Sequence, residues 1–299
     1  HRGMLVDRNG EPLAISTPVW SVWADPAPLM EARDRWGALA TALDMPVQAL
    51  AERISARADS EFVWLRRHMR PDRAEAVSEL DVPGVGRRRE YERYYPTGEV
   101  SGHVLGFTDI DDRGQEGLEL AYDDWLSGRS GRKRVVQDRL GHVIEDLELL
   151  RPAEHGRDLR VSLDRRLQYL AYRELKSAVS RTGAKAGSLA MLDVHTGEVL
   201  AMVNQPAFNP NPSGNRSSQS VRNRAVTDVF EPGSTMKALT IAAALETGRF
   251  EPDTRIQTAP GTLRVGGHSI SDYRDLGELD VSGVIRMSSN VGATRIAMS

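Results

Sequence analysis

Four residues of this chain have the types and spacing for acyl-transfer chemistry. They are Ser234 and Lys237, in Glu231-Pro232-Gly233-Ser234-Thr235-Met236-Lys237, and Ser288 and Asn290, in Ser288-Ser289-Asn290, 54 positions after Ser234. A serine hydroxyl attacks a carbonyl efficiently only when a neighbouring base takes its proton. A lysine three residues further on lies one helical turn along the same face and brings its amine to that oxygen. The amine is a base only when uncharged, and burial lowers a lysine pKa towards that state. In the second triplet the Ser288 hydroxyl is suited to passing a proton to a leaving amine. The Asn290 carboxamide offers a donor and an acceptor for holding a peptide group.

The flanking sequence supplies elements to position these groups. Pro232 and Gly233 break the chain, and Ser234–Glu246, rich in Ala, Leu and Met, predicts a helix ending at Thr247-Gly248. Ser234 then stands at a helix N-terminus, where unpaired N–H groups and the positive end of the dipole favour a developing oxyanion. The helix is apolar almost all round, which predicts burial of Lys237. Val284–Met287 and Val291–Ala297 read as helical segments on either side of a short turn holding Ser288 and Asn290. Each motif alone also has a plainer reading: an N-capping Ser234 with a solvent-facing Lys237, and a helix N-cap within Ser288-Ser289-Asn290. Their joint order and spacing favour the chemical reading.

Further upstream, Leu167, Leu170, Ala171, Leu175, Ala178 and Val179 repeat at helical spacing after Asp164, a capping residue, and before Gly183, a stop. Leu189–Leu192 and Val199–Val203 predict an apolar hairpin suited to the centre of a sheet, with His195 in its turn and not in the chemistry. Asn204–Asn223, full of Asn, Pro, Ser and Gly, predicts a long surface loop with partial mobility. Between residues 30 and 80 the pattern predicts short amphipathic helices, one of them Met30–Leu43, with strands around them. All five tryptophans, at 20, 23, 36, 64 and 125, fall in the first half, which sets a composition boundary near Ala153–Gly156.

Lys plus Arg 39 against Asp plus Glu 42 leaves a net charge of −3, so no overall field draws the chain to nucleic acid, and the basic runs at Arg87–Arg89 and Arg132–Arg134 read as solvated faces. With no cysteine, disulfides, thiol catalysis and thiolate-bound metals are excluded. The seven histidines show no ligand spacing, so no metal and no cofactor is expected. No run of about eighteen apolar residues occurs.

The pairing of Ser-x-x-Lys with Ser-x-Asn resembles the first two motifs of the penicillin-interacting serine acyl transferases. The third motif, Lys-Thr-Gly or Lys-Ser-Gly, is absent, and Ser299 follows Asn290 by only nine residues, so the chain reads as part of a longer enzyme. Three stretches of the first half resemble class B, monofunctional penicillin-binding proteins. They are Arg2–Ala14, which in that family follows the membrane anchor; Arg93-Tyr94-Tyr95-Pro96-Thr97-Gly98; and Gly114-Gln115-Glu116-Gly117-Leu118-Glu119. Asp164–Leu170, Ala186–Asn204 and Arg222–Ala225 extend the resemblance over essentially the whole chain, and it is closest to the division-septum transpeptidases of Gram-negative bacteria.

The resemblance implies an α+β fold: a transpeptidase domain of β-lactamase-like type, with helices around an antiparallel sheet, preceded by an elongated mixed α/β pedestal. Residues 1–156 would form the pedestal and 157–299 the N-terminal part of the transpeptidase domain. It implies a peptidoglycan D,D-transpeptidase that cross-links stem peptides through an acyl-enzyme on Ser234 and is acylated there by β-lactams. The expected partners are a membrane-embedded glycosyltransferase and division proteins, not nucleic acid. The expected location is the periplasm, with an N-terminal helix outside these residues as the inner-membrane anchor. A β-lactam-recognising hydrolase or sensor, and a non-catalytic division scaffold, are the alternatives. Within the pedestal the motifs imply a pairing of Glu119 with Arg2 or Arg8.

Overall fold

The computed structural model describes residues 1–129, 131–137, 143–211 and 217–299. Its contacts divide into two units, His1–Asp228 and Val229–Ser299.

The first unit opens on β1 (Leu5–Val6) and β2 (Pro12–Ala24), antiparallel around an Asn9-Gly10 turn. The Asp7 carboxylate closes that turn by accepting from the Asn9 and Glu11 amides at 2.7 and 2.9 Å. Then follow α1 (Pro26–Glu31), α2 (Trp36–Ala42), α3 (Val47–Ser55), β3 (Val63–Met69), α4 (Pro71–Glu79) and β4 (Val85–Tyr94). β2 pairs with β3 and with β4 over the same stretch, so the two flank it on opposite edges. The helices cover this sheet through Leu29, Leu39, Leu43, Leu50 and Ile54, which pack on Val22, Ala24, Val63 and Leu65. Met30–Leu43 is not the single helix that its periodicity predicts. A 3₁₀ turn at Arg33–Arg35 interrupts it, and the Leu29 carbonyl accepts from the Ala32 amide (3.2 Å) and the Trp36 indole (2.9 Å), which sinks the Trp36 ring into the core.

Three short helices come next, α5 (Gly102–Leu105), α6 (Gly117–Ala121) and α7 (Asp123–Leu126), then the hairpin β5 (Arg132–Gln137) and β6 (Val143–Arg151). β7 (Leu159–Arg160) runs parallel to β1 and completes a five-stranded sheet. The composition boundary near residue 156 therefore lies just before a strand that belongs to the first sheet. Gly117, at φ 60°, is required where it stands: a Cβ there would lie 2.6 Å from the Gly106 amide nitrogen and the Val104 carbonyl.

A charged knot holds this part together. Arg2 is the arginine that reaches Glu119 (Nε to Oε2, 2.6 Å), whereas Arg8 reaches Glu198 at 3.4 Å. Arg93 takes the other Glu119 oxygen at 2.7 Å, and Arg2 also meets Asp123 at 2.6 Å. Arg2, Arg93 and Glu119 are all buried. Buried charges survive only when paired and hydrogen-bonded, and here two guanidiniums share one carboxylate.

The unit ends with α8 (Arg165–Thr182), β8 (Gly187–Leu192), β9 (Val199–Gln205), α9 (Ser218–Val221) and α10 (Arg224–Thr227). Asp164 caps α8 by accepting from the Arg166 and Leu167 amides, and Gly183 ends it at φ 68°, as predicted. β8 and β9 form the predicted hairpin, with His195 in a turn closed by Asp193. Leu189 and Met191 face the α8 side, and among the described residues Ala190 and Leu192 are exposed. Among the described residues β8 and β9 pair only with each other. Asn211 clasps the Tyr95 backbone with both ends of its carboxamide (2.8 and 2.9 Å), tying the Asn204–Asn223 loop to the Arg93–Gly98 motif. The expected mobility of that loop concerns residues 212–216 in part, which lie outside the described residues.

The second unit holds α11 (Thr235–Glu246), β10 (Arg255–Gln257), β11 (Thr262–Val265), β12 (His268–Ser271), β13 (Glu278–Asp280), α12 (Val281–Arg286) and α13 (Asn290–Met298). Its core is Ile241, Ile256, Val281, Val284, Ala293 and Ile296. Gly292 permits the close approach of α12 and α13, since a Cβ there would fall 2.7 Å from Val284.

Candidate active site

Ser234, Lys237, Ser288 and Asn290 all lie in the second unit, and it brings the four together. Ser234 immediately precedes α11, its own backbone helical, and its side chain makes no capping bond. The hydroxyl is thereby free of the plainer capping role and lies 3.2 Å from Lys237 Nζ. Lys237 Nζ donates to the Ser288 carbonyl (2.5 Å) and Asn290 Oδ1 (2.6 Å), and it lies 3.0 Å from the Ser288 hydroxyl. The two hydroxyls are 3.0 Å apart, so Ser234, Ser288 and the amine form a closed triangle.

The helix cap in the second motif falls to Ser289, whose side chain accepts from the Gly292 amide at 2.8 Å. That leaves the Ser288 hydroxyl and the Asn290 carboxamide to face Lys237. Ser288 adopts a left-handed backbone, φ 52°, uncommon for a residue with a Cβ and one that persists only where its surroundings hold it.

Two expectations need correction. The first-turn N–H groups of α11 are not open to an oxyanion: those of Thr235, Met236 and Lys237 bond back to the Pro232, Gly233 and Ser234 carbonyls at 3.1–3.4 Å. Within its unit α11 packs along one side on α12 and α13, and among the described residues Ile241 is buried while Met236 and Leu239 are exposed. Lys237 is nevertheless half-buried by the groups it bonds, and burial lowers its pKa from the ordinary lysine value, with Asp272 pulling it back up. The Asn290 acceptor, expected to hold a peptide group, is turned to Lys237; one Nδ2 hydrogen goes to the Ser271 carbonyl at 2.8 Å, leaving the other for a ligand.

The sequence reading missed Asp272. Its carboxylate accepts from the Ser289 hydroxyl (2.7 Å) and from the Asn290 and Val291 amides (2.5 and 3.2 Å). No local pattern signals it: it follows β12 with no motif around it and meets the triplet only through the fold.

Comparison with known proteins adds to the geometry. Residues 1–161 match the model of the penicillin-binding protein dimerisation domain and residues 187–299 that of the penicillin-binding protein transpeptidase domain. The chain is 44% identical over 303 residues to the peptidoglycan D,D-transpeptidase FtsI of Escherichia coli, covering 100% of this chain and 51% of that protein. It is 39% identical to the probable peptidoglycan D,D-transpeptidase PbpC of Pseudomonas aeruginosa, covering 99% of this chain and 53% of that one. A crystal structure of a peptidoglycan synthetase from Bifidobacterium adolescentis superposes with a TM-score of 0.70 at 25% identity, over 100% of this chain and 59% of the other. The chain spans about half the length of the curated relatives it matches.

Proposed function

Since the chain belongs to the class B penicillin-binding proteins, of the division-septum type found in Gram-negative bacteria, we propose that it carries the nucleophile of a peptidoglycan D,D-transpeptidase, with Ser234, Lys237, Ser288 and Asn290 as its working residues. The observation that carries this reading is the bonding of Lys237. A neutral lysine amine has two N–H groups and one lone pair. The Ser288 carbonyl and Asn290 Oδ1 are pure acceptors and take the two N–H groups. The lone pair is then left for the Ser234 hydroxyl at 3.2 Å or the Ser288 hydroxyl at 3.0 Å, the disposition a general base needs.

In the proposed reaction the Ser234 oxygen attacks the carbonyl of the penultimate D-Ala of a stem peptide. Its proton passes to Lys237, directly or through the Ser288 hydroxyl, which touches both. As the tetrahedral intermediate collapses, Ser288 returns a proton to the departing D-Ala amine, leaving an ester on Ser234. The free Nδ2 hydrogen of Asn290 orients the bound peptide, and the amine of a neighbouring stem peptide attacks the ester and frees the serine. A β-lactam would enter by the same first step and remain as the ester. No cofactor is required by these steps.

The proposal extends to the surroundings. Residues 1–156 serve as the pedestal and 157–299 as the first part of the transpeptidase domain, which the matches to residues 1–161 and 187–299 support. Among the described residues no helix is long and apolar enough to cross a membrane. The likeness of Arg2–Ala14 to the segment that follows the anchor in this family supports a periplasmic ectodomain tethered to the inner membrane, where a membrane-embedded glycosyltransferase and division proteins are its partners. The test is cross-linking of stem peptides by the full-length protein. Loss of cross-linking in Ser234→Ala, with recruitment to the septum retained, supports catalysis; retained cross-linking refutes it. A penicillin ester that hydrolyses within seconds would instead point to a hydrolase.

A further inference from the structure

We infer that Asp272 is a positioning residue of this site: its carboxylate clamps the Ser288-Ser289-Asn290 turn so that Ser288 and Asn290 meet Lys237. The inference rests on the transpeptidase reading and adds to it a residue outside both motifs.

A turn that places two side chains on one amine must be held, because Ser288 sits in the left-handed region at φ 52°. On its N-terminal side the Ser288 and Ser289 amides bond back to the Ile285 and Val284 carbonyls, both at 3.0 Å. On its C-terminal side the next three residues all bond to Asp272, the Ser289 hydroxyl to Oδ2 and the Asn290 and Val291 amides to Oδ1. These amides open α13, so an ionised carboxylate meets both the unpaired N–H groups and the positive end of the helix. Ser289 couples the clamp to the helix, donating to Asp272 while accepting from the Gly292 amide.

The neighbouring Ser271 carbonyl completes the device. It takes an Asn290 Nδ2 hydrogen at 2.8 Å, which fixes the carboxamide with Oδ1 towards Lys237. The end of the β11–β12 hairpin therefore sets both groups that accept the Lys237 N–H bonds, without itself bonding to Ser234. Its charge has a second, separable effect, for a carboxylate nearby favours the protonated lysine. Among the described residues, α12 and α13, the helices packed on α11, add Arg286 and Arg295 as further charged groups, both exposed.

The test measures acylation of the full-length protein by benzylpenicillin, separating the rate constant at saturation from the half-saturating concentration by quenched intact-mass spectrometry. Asp272→Ala removes charge-assisted bonds and should slow the saturated rate about 10- to 100-fold with little change in half-saturation. Asp272→Asn keeps an oxygen for the Asn290 and Val291 amides and should restore most of that rate. By removing the negative charge it should also move the acid limb of the rate–pH profile to lower pH, since Lys237 then deprotonates more readily. A residue that merely supports folding would lower the melting temperature and leave the rate and the acid limb of the folded protein where they were. Rates for Asp272→Ala within threefold of wild type, or an Asp272→Asn rate more than tenfold below wild type, overturn the inference; the second readout decides alone if the alanine variant does not fold. A wild-type protein that forms no adduct on Ser234 overturns the transpeptidase reading itself, and the inference with it.

Discussion

Replacing Glu119 by alanine removes the carboxylate that two buried arginines share, and the structure sets the size of the effect. Glu119 is fully buried, with Arg2 Nε and Arg93 Nε at 2.6 and 2.7 Å on its two oxygens. Arg2 keeps Asp123, the Ser127 hydroxyl and two carbonyls. Arg93 keeps only the Gly3 carbonyl and the Ser16 hydroxyl, and its Nη2 has no partner even before the change. The loss therefore falls chiefly on Arg93, a buried cation left without a counter-charge, at about 3–5 kcal/mol. For a unit of this size each kcal/mol lowers the midpoint by roughly 2–4 °C, so a drop of about 10 °C is expected. Differential scanning calorimetry at pH 7.5 measures it. A midpoint within about 2 °C of wild type would mean that the knot adds nothing net, and the account of how the first strand is tied to residues 112–127 would be wrong.

Two further outcomes follow from the same unit. Burial pushes the Asp112 carboxyl up to about 6, with Arg2 and Arg93 opposing, and one of its oxygens has no partner. An acid whose pKa is raised by folding contributes stability that is present below its unfolded value, about 4, and lost as pH rises through about 6. Asp112→Asn, which tolerates the local φ of 64°, should thus melt a few degrees above wild type at pH 7.5 and level with it at pH 4; equal offsets at both pH values would refute the assignment. Gln168, buried on α8, donates to the Val100 and Met202 carbonyls and accepts from the Met202 amide at 2.8–2.9 Å. Gln168→Ala should cost about 2–4 kcal/mol in chemical denaturation, and a cost under about 1 kcal/mol would show that water replaces the side chain freely.

The legible part of the molecule was the part governed by local rules. Asp164 and Gly183 bound α8 because a cap and a left-handed stop act within a few residues, and the Asn9-Gly10 turn and the 189–203 hairpin follow in the same way. The four site residues were legible because Ser234 and Lys237 share a helical turn and Ser288 and Asn290 share a triplet. Asp272 was not, since it meets the triplet only after β12 and α13 have packed, and no spacing encodes that meeting. The break at Arg33–Arg35 was hidden for a related reason: the Trp36 indole bonds to the Leu29 carbonyl as the ring enters the core, against the helical period of the sequence.

The most direct test of the central claim is intact-mass analysis of the full-length protein after exposure to benzylpenicillin, with peptide mapping of the product. The account predicts a single ester on Ser234, lost in Ser234→Ala and formed at least about 100-fold more slowly in Lys237→Ala, which keeps the hydroxyl but lacks the amine 3.2 Å away. An adduct on any other residue, or a Lys237→Ala variant acylated at the wild-type rate, would contradict it.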